Sequence, residues 1–213
     1  MRITEPITML TDYAIAIETL IFAVMLWRSE AQKQVSVRCW AVALAAVGVA
    51  AFLGGTCHGF VVHLGRAWLI TLWQLMFYLL SLASFLMLSA TVVSTLPRRS
   101  QRWFILVAGT KSMLYLVWAA NNRHFGYAIA DYLSAMVIVL FLQLWALYRQ
   151  CTPKSARWII AGILLSGVAV TVQASPLAIG SFTSTDVYHL IQMVALYLFY
   201  RGACLLTDRV PGY

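Results

Sequence analysis

The chain has 213 residues, of which 62% are hydrophobic and only 10% are charged, and its formal net charge is +8. Soluble domains are about 45–50% apolar, so this composition excludes a soluble globular protein. An α-helix rises about 1.5 Å per residue, and a bilayer with its headgroups is about 40–45 Å thick. The chain therefore has room for seven crossings and little else, and any chemistry takes place inside or at the edge of the membrane.

Seven long apolar runs follow one another along the chain, each close to the roughly 20 residues needed to cross the hydrocarbon core. Short polar breaks with Arg, Asn or Pro separate them, as is typical of membrane loops. The sequence therefore predicts an all-α integral membrane protein, with a single domain over residues 1–213 and seven transmembrane helices. The predicted spans are Ile7–Trp27, Cys39–His58, Trp68–Leu96, Trp103–Ala120, Gly126–Tyr148, Trp158–Ser175 and Ser184–Leu206.

The basic residues lie mainly on alternate connections. Eleven lie on one set, whereas only Arg2, Arg66 and Arg123 lie on the other. Cytoplasmic loops retain an excess of Lys and Arg, so we expect the N-terminus outside, the C-terminus in the cytoplasm, and the bacterial inner (cytoplasmic) membrane as the location. The eleven are Arg28, Lys33, Arg38, Arg98, Arg99, Arg102, Arg149, Lys154, Arg157, Arg201 and Arg209.

This distribution also indicates the partners. Basic residues spread over short loops form a belt that meets anionic lipid headgroups, and nothing in the pattern supports a nucleic-acid face. We expect membrane lipids as partners and no nucleic acid, while partner subunits or a homo-oligomer stay open.

Two charged side chains lie at matching depth within predicted spans. Counting the helix rise from the nearest loop arginine places Glu18 about 15 Å and Lys111 about 14 Å from the cytoplasmic boundary. Ionisable side chains in a membrane are costly unless they are paired or hydrated. We therefore predict an intramembrane Glu18–Lys111 ion pair, which serves either function or helix packing alone.

A second group of ionisable residues lies toward the outer face, namely Asp12, His58, Asp131, Asp186 and His189. Asp186 and His189 are three residues apart, a spacing that places them on one face of a helix. Such a pair suits a metal-binding imidazole with a carboxylate as co-ligand or orienting group. Capping and interfacial roles are the alternative, since an aspartate is favoured at a helix N-terminus.

A metal site needs ligands from more than one helix, and His58 is the best remote partner. Two histidines with one or two carboxylates and an open water position are typical of catalytic Zn²⁺, which lowers the pKa of its bound water toward about 7. We therefore predict His58, His189 and Asp186 as zinc ligands. Asp12 and Asp186 are the candidate catalytic carboxylates.

A histidine that closes the second helix and an acidic-to-His motif that opens the seventh resemble the CREST superfamily. This superfamily of seven-helix membrane proteins includes the alkaline ceramidases and the progestin and adiponectin receptors. The resemblance implies that His58 and His189 bind a Zn²⁺ that activates water for amide hydrolysis.

Three positions depart from the superfamily pattern. Met193 stands where the second histidine of the seventh-helix motif belongs, Gly54 replaces a serine, and no aspartate opens the third helix. Zn²⁺ accepts carboxylate oxygen as well as imidazole. We therefore expect Asp186 and Asp12 to replace the missing ligand and the missing acid.

Two functions follow from these residues. The first is a divergent ceramidase-like zinc hydrolase that acts on a lipid amide or ester near the outer leaflet. The second is a non-enzymatic membrane protein, either an accessory subunit or a small transporter, in which the intramembrane polar groups are structural or handle protons. The hydrolase requires the His58 and His189 side chains within about 5 Å of each other at a cavity.

Overall fold

The structure is a computed structural model that describes residues 3–122 and 124–209. Seven α-helices account for most of these residues, so the predicted all-α class is confirmed. A short 3-10 helix, Glu30–Lys33, joins the first two helices. The helices are α1 Pro6–Arg28, α2 Val35–Phe60, α3 Arg66–Thr95, α4 Arg98–Asn121, α5 Phe125–Tyr148, α6 Pro153–Gln173 and α7 Ser184–Ala203.

Six of these helices, α1 to α6, are long and apolar enough to cross a membrane, which supports an integral membrane protein. α7 has 20 residues, but Asp186, His189, Gln192 and Arg201 lower its mean hydropathy. The side on which each terminus lies stays a prediction. Two of the three outer-side basic residues used for it, Arg2 and Arg123, lie outside the described residues.

Several helices begin earlier than the apolar runs that predicted them. α2 begins at Val35 where the apolar run begins at Cys39, and α6 begins at Pro153 where the run begins at Trp158. Pro153 lies in the first turn, where the missing N–H of proline leaves no hydrogen bond unmade. The backbone hydrogen bonds thus extend each helix into polar residues that hydropathy assigns to a loop.

Glycines allow close approach within two helix pairs, α1 with α2 and α6 with α7. A Cβ atom at Gly48 would lie 2.7 Å from Thr19 Oγ1, and one at Gly202 would lie 2.6 Å from Ile159 Cγ1. Small residues commonly allow this packing between membrane helices. Because α1 also packs on α7, the polar faces of these two helices meet.

A two-stranded antiparallel hairpin leads into α7. It is formed by β1, Ala178–Ile179, and β2, Phe182–Thr183. Gly180 adopts a φ of 60° in the turn between them, a conformation that glycine reaches without steric penalty. The hairpin ends at Thr183, the residue that caps α7.

The chain after α7 returns to cap the start of α2. Asp208 accepts hydrogen bonds from the backbone N–H groups of Val35, at 2.6 Å, and Ser36, at 2.9 Å. The Ser36 hydroxyl donates to the same carboxylate at 2.6 Å. Asp208 thus satisfies donors that a helix N-terminus leaves free, although it lies far away in the sequence.

We expect Asp208→Ala to lower the free energy of unfolding by about 1–2 kcal/mol, the usual loss when an N-terminal cap is removed. Thermal unfolding of the detergent-solubilised protein measures this change. Asp208→Asn keeps one acceptor oxygen and is expected to lose less. An Asp208→Ala protein as stable as the wild type would show that this cap contributes nothing.

Candidate functional site

A strip of buried polar side chains runs along the contact between α1 and α7. Thr8, Thr11 and Asp12 share one face of α1, because residues three and four apart are neighbours on a helix. Thr8 Oγ1 donates to Asp186 Oδ1 at 2.7 Å, and Thr11 Oγ1 lies 2.8 Å from His189 Nδ1. Asp12 Oδ1 lies 3.4 Å from His189 Nε2. The two helices are therefore joined by three polar contacts at successive depths.

Asp186 has a capping role in this strip. Its Oδ2 accepts from the Thr183 backbone N–H at 2.7 Å and from the Thr183 hydroxyl at 2.8 Å, while its Oδ1 accepts from Thr8. The Thr183 side chain in turn accepts from the Asp186 backbone N–H, which completes a capping box. Both carboxylate oxygens of Asp186 thus accept hydrogen bonds, Oδ2 from the capping residue Thr183 and Oδ1 from Thr8 of α1.

The hydrogen bonds around His189 indicate where its protons lie. The Thr11 hydroxyl donates to the Thr8 carbonyl at 3.0 Å, so at the Thr11 contact the His189 Nδ1–H is the donor. The other ring nitrogen, Nε2, faces Asp12. An unprotonated Nε2 opposite an ionised carboxylate would set two lone pairs against each other in a buried site. One proton between Asp12 Oδ1 and His189 Nε2 would remove this conflict.

Two glycines of α2 make room for the Asp12 side chain. A Cβ atom at Gly54 would lie 3.3 Å from Asp12 Oδ2, and one at Gly55 would lie 3.0 Å from Asp12 Cβ. Larger residues at either position would displace the carboxylate. Gly54 stands at the position where the CREST pattern has serine. Because it has no side chain, it leaves the space that the Asp12 carboxylate occupies.

The Asp12–His189 contact opens onto a cavity of about 120 Å³ inside the helix bundle. Side chains from every helix except α4 line this cavity, and most of them are apolar. In the part of the chain that the structure describes, its polar lining residues are Asp12, Tyr132, Ser166, Tyr188, His189 and Gln192. The Ser166 hydroxyl has no hydrogen-bond partner among the described residues. The arrangement fits a small, mainly apolar molecule that carries one polar group.

His58 does not reach this strip. Its Nδ1 lies 2.6 Å from Glu5 Oε2, and its ring meets the ring of Trp73 edge-on at 5.7 Å between centroids. Glu5 is largely exposed and His58 is partly exposed. The two residues form a separate polar contact at the start of α1 and the end of α2, beside Trp73 of α3.

The predicted zinc ligands do not fit a zinc site. Both ring nitrogens of His189 and both oxygens of Asp186 already have partners within the strip. His58 Nδ1 contacts Glu5, and among the described residues no hydrogen bond or ring contact joins this histidine to His189 or Asp186. Within residues 3–122 and 124–209, no group of three or more His, Cys, Asp or Glu side chains is arranged to hold a metal ion.

The predicted Glu18–Lys111 pair is corrected by the structure. Lys111 Nζ lies 2.8 Å from Asp131 Oδ1 and donates to the Asp131 backbone carbonyl at 2.6 Å. Ser84 Oγ donates to Asp131 Oδ2 at 3.0 Å. Glu18 Oε2 is buried without a hydrogen-bond partner in the part of the chain that the structure describes. The residue count placed Glu18 and Lys111 at the same depth in the membrane. However, α4 packs on α3, and Lys111 of α4 faces α5.

Sequence reasoning missed Thr8, Thr11 and Tyr132 as members of the site. The threonines carry no charge, so a search for intramembrane ionisable groups passes over them. Their spacing with Asp12 was the available signal, because Thr8, Thr11 and Asp12 repeat the i, i+3 pattern that singled out Asp186 and His189. Tyr132 offers no such signal, since tyrosines are common in membrane helices.

One comparison with known proteins gives a match. A family model described as a family of unknown function, DUF6962, matches residues 7–208. No curated protein and no solved structure matches the chain.

Proposed function

We propose that this chain, which belongs to the family of unknown function DUF6962, binds a small lipophilic amine inside its helix bundle and exchanges it for a proton. This is a transporter-like function and needs no bound metal. The observation that carries the proposal is the contact of Asp12 Oδ1 with His189 Nε2, 3.4 Å apart at the wall of a mainly apolar cavity. We assign one exchangeable proton to this contact.

The charge around the cavity favours a cation over an anion. Among the described residues that line the cavity, Asp12 is the one carboxylate, and none is a lysine or an arginine. An ammonium group complements an ionised Asp12, whereas a carboxylate ligand would add a further negative charge in a site of low dielectric.

The exchange is balanced in protons and charge. The ligand enters as an ammonium ion, R–NH₃⁺, and donates a hydrogen bond to the Asp12 carboxylate. The proton shared between Asp12 Oδ1 and His189 Nε2 leaves for water, so one positive charge enters the site and one departs. His189 keeps its Nδ1–H on Thr11 throughout, and its free Nε2 accepts a second N–H of the ammonium group.

The hydrolase expected from the sequence lacks support in the geometry. A zinc mechanism needs a ligand set that the described residues do not form. The Thr11–His189–Asp12 contact has the residue types of a nucleophile, a base and an acid, but the Thr11 hydroxyl donates to the Thr8 carbonyl. It therefore does not offer its proton to the imidazole, as an activated nucleophile would.

The proposed orientation places the site in the outer leaflet. With the N-terminus outside, Asp12 lies near the outer end of α1 and the cavity faces the outer half of the bilayer. In a bacterial inner membrane, amines would then reach the site from the outer leaflet.

Titration of the purified protein in lipid nanodiscs with n-butylamine tests the proposal. A ligand of this size has at best a micromolar Kd, so the titration extends into the millimolar range. Calorimetry in two buffers with different heats of protonation counts the protons. We expect about one proton released per amine bound, and none with n-butanol, which has the same chain and no charge. Saturable amine binding without proton release would contradict the proposal, as would no binding at all.

We expect Gly54→Ala to weaken butylamine binding roughly fivefold, equivalent to about 1 kcal/mol. The added methyl group would lie 3.3 Å from Asp12 Oδ2 and would push the carboxylate from its position. Gly167→Ala is the matched control, because a Cβ atom there meets nothing within 4 Å. The same titration measures both variants, and equal affinities would show that Gly54 does not position Asp12.

A further inference from the structure

An apolar groove adjoins the cavity and extends the proposed function. Resting on that function, we infer that the groove binds the alkyl tail of the ligand, so that the substrate class is single-chain alkylamines. The groove encloses about 300 Å³ between α3 and the start of α5. Among the described residues, its lining is apolar and aromatic and consists of Leu69, Ile70, Trp73, Phe77 and Phe125.

Phe125 connects the two spaces because it lines both of them. Its ring centroid lies 6.3 Å from that of Phe77 and 6.3 Å from that of Trp73. The Phe125 side chain is half-buried at the first position of α5. A rotation of this one ring would therefore join the groove to the cavity without moving a helix.

The joined space has one polar end and one apolar end. The polar end is the Asp12–His189 contact, and the apolar end is the groove. The Phe77 and Trp73 rings stand 6.0 Å apart between centroids, so they pack against each other and form one aromatic side of the groove. This surface suits a polymethylene chain, and the joined space therefore fits an ammonium head with an alkyl tail.

The outer end of the groove carries a carboxylate that suits the same ligand. The Trp73 ring meets the His58 ring at 5.7 Å, and His58 contacts Glu5 at 2.6 Å. Glu5 keeps 54% of its side chain exposed. An ammonium group that arrives from the membrane surface would therefore meet a carboxylate before it reaches the aromatic groove.

Filling the groove tests this assignment. We expect Ile70→Trp to weaken decylamine binding at least tenfold and to leave butylamine binding within twofold of the wild type. Leu75→Trp is the matched control on the same helix, because Leu75 is 44% exposed and does not line the groove. All proteins are compared in nanodiscs of one lipid composition, so that partition of decylamine into the lipid cancels in the ratio.

A second measurement keeps the assignment testable if Ile70→Trp disturbs the fold. Decylamine with a diazirine at the end of its chain labels the residues that surround the tail, and mass spectrometry locates them. We expect labels on the groove residues that excess decylamine suppresses. Labels confined to lipid-facing residues of α4, or labels that decylamine does not suppress, would overturn the assignment.

The two proposals fail in different ways. If Asp12→Asn leaves butylamine binding unchanged, the proposed function fails whatever occurs in the groove. If butylamine binding depends on Asp12 but Ile70→Trp leaves decylamine binding intact, only the tail site fails.

Discussion

Asp12→Asn is expected to abolish the release of a proton on butylamine binding and to weaken that binding about 10–100-fold. A hydrogen bond to a charged group contributes about 1.5–3 kcal/mol, and each 1.4 kcal/mol is a tenfold change in affinity. The amide of asparagine neither carries the negative charge nor shares a proton with His189 Nε2. Calorimetry in two buffers measures both effects on the same sample.

Glu18→Gln is the control for this experiment, because Glu18 is a second carboxylate on α1 that does not line the cavity. It should bind butylamine and release a proton as the wild type does. The wild-type affinity should also rise with pH, since an equilibrium that releases a proton is favoured when protons are scarce. An Asp12→Asn protein that still released one proton per amine would locate the exchangeable proton elsewhere.

The positions of the helices along the chain could be predicted from the sequence, whereas the contacts between helices could not. Hydropathy reports which segments leave water, and all seven apolar runs overlap helices of the structure. The shared face of Asp186, His189 and Gln192 was also predictable, because it depends only on the helical repeat. All three side chains are buried, as a common inward face requires.

Which side chains meet between two helices depends on the rotation and tilt of each helix. Counting residues along the chain gives neither of these. The count placed Lys111 near the depth of Glu18, yet Lys111 reaches Asp131, which the count put well above it. A long lysine side chain extends toward a polar partner, and helix tilt changes depth by several ångströms. The count likewise grouped His58 with His189, although the two histidines have different acidic partners, Glu5 just before α1 and Asp12 within it.

Lys111→Met is expected to lower the free energy of unfolding by about 3–5 kcal/mol, the usual effect of removing one partner of a buried ion pair. Asp131 has only 3% of its side chain exposed, although Lys111 keeps 29%, so the Asp131 carboxylate would lose its counter-charge in a largely buried position. α4 makes few contacts with α5, and the Lys111–Asp131 pair is a main link between them. Unfolding of the detergent-solubilised protein measures the change.

Two further variants separate the charge from the packing. The double variant Lys111→Met/Asp131→Asn removes both charges and should recover much of the lost stability. An uncompensated buried charge destabilises the fold more than the absence of both charges does. Glu18→Gln removes a carboxylate whose Oε2 lacks a hydrogen-bond partner among the described residues, so it should be neutral or stabilising. If Lys111→Met were no less stable than Glu18→Gln, the ion pair would contribute nothing, and α4 would be held to the bundle by its packing on α3 alone.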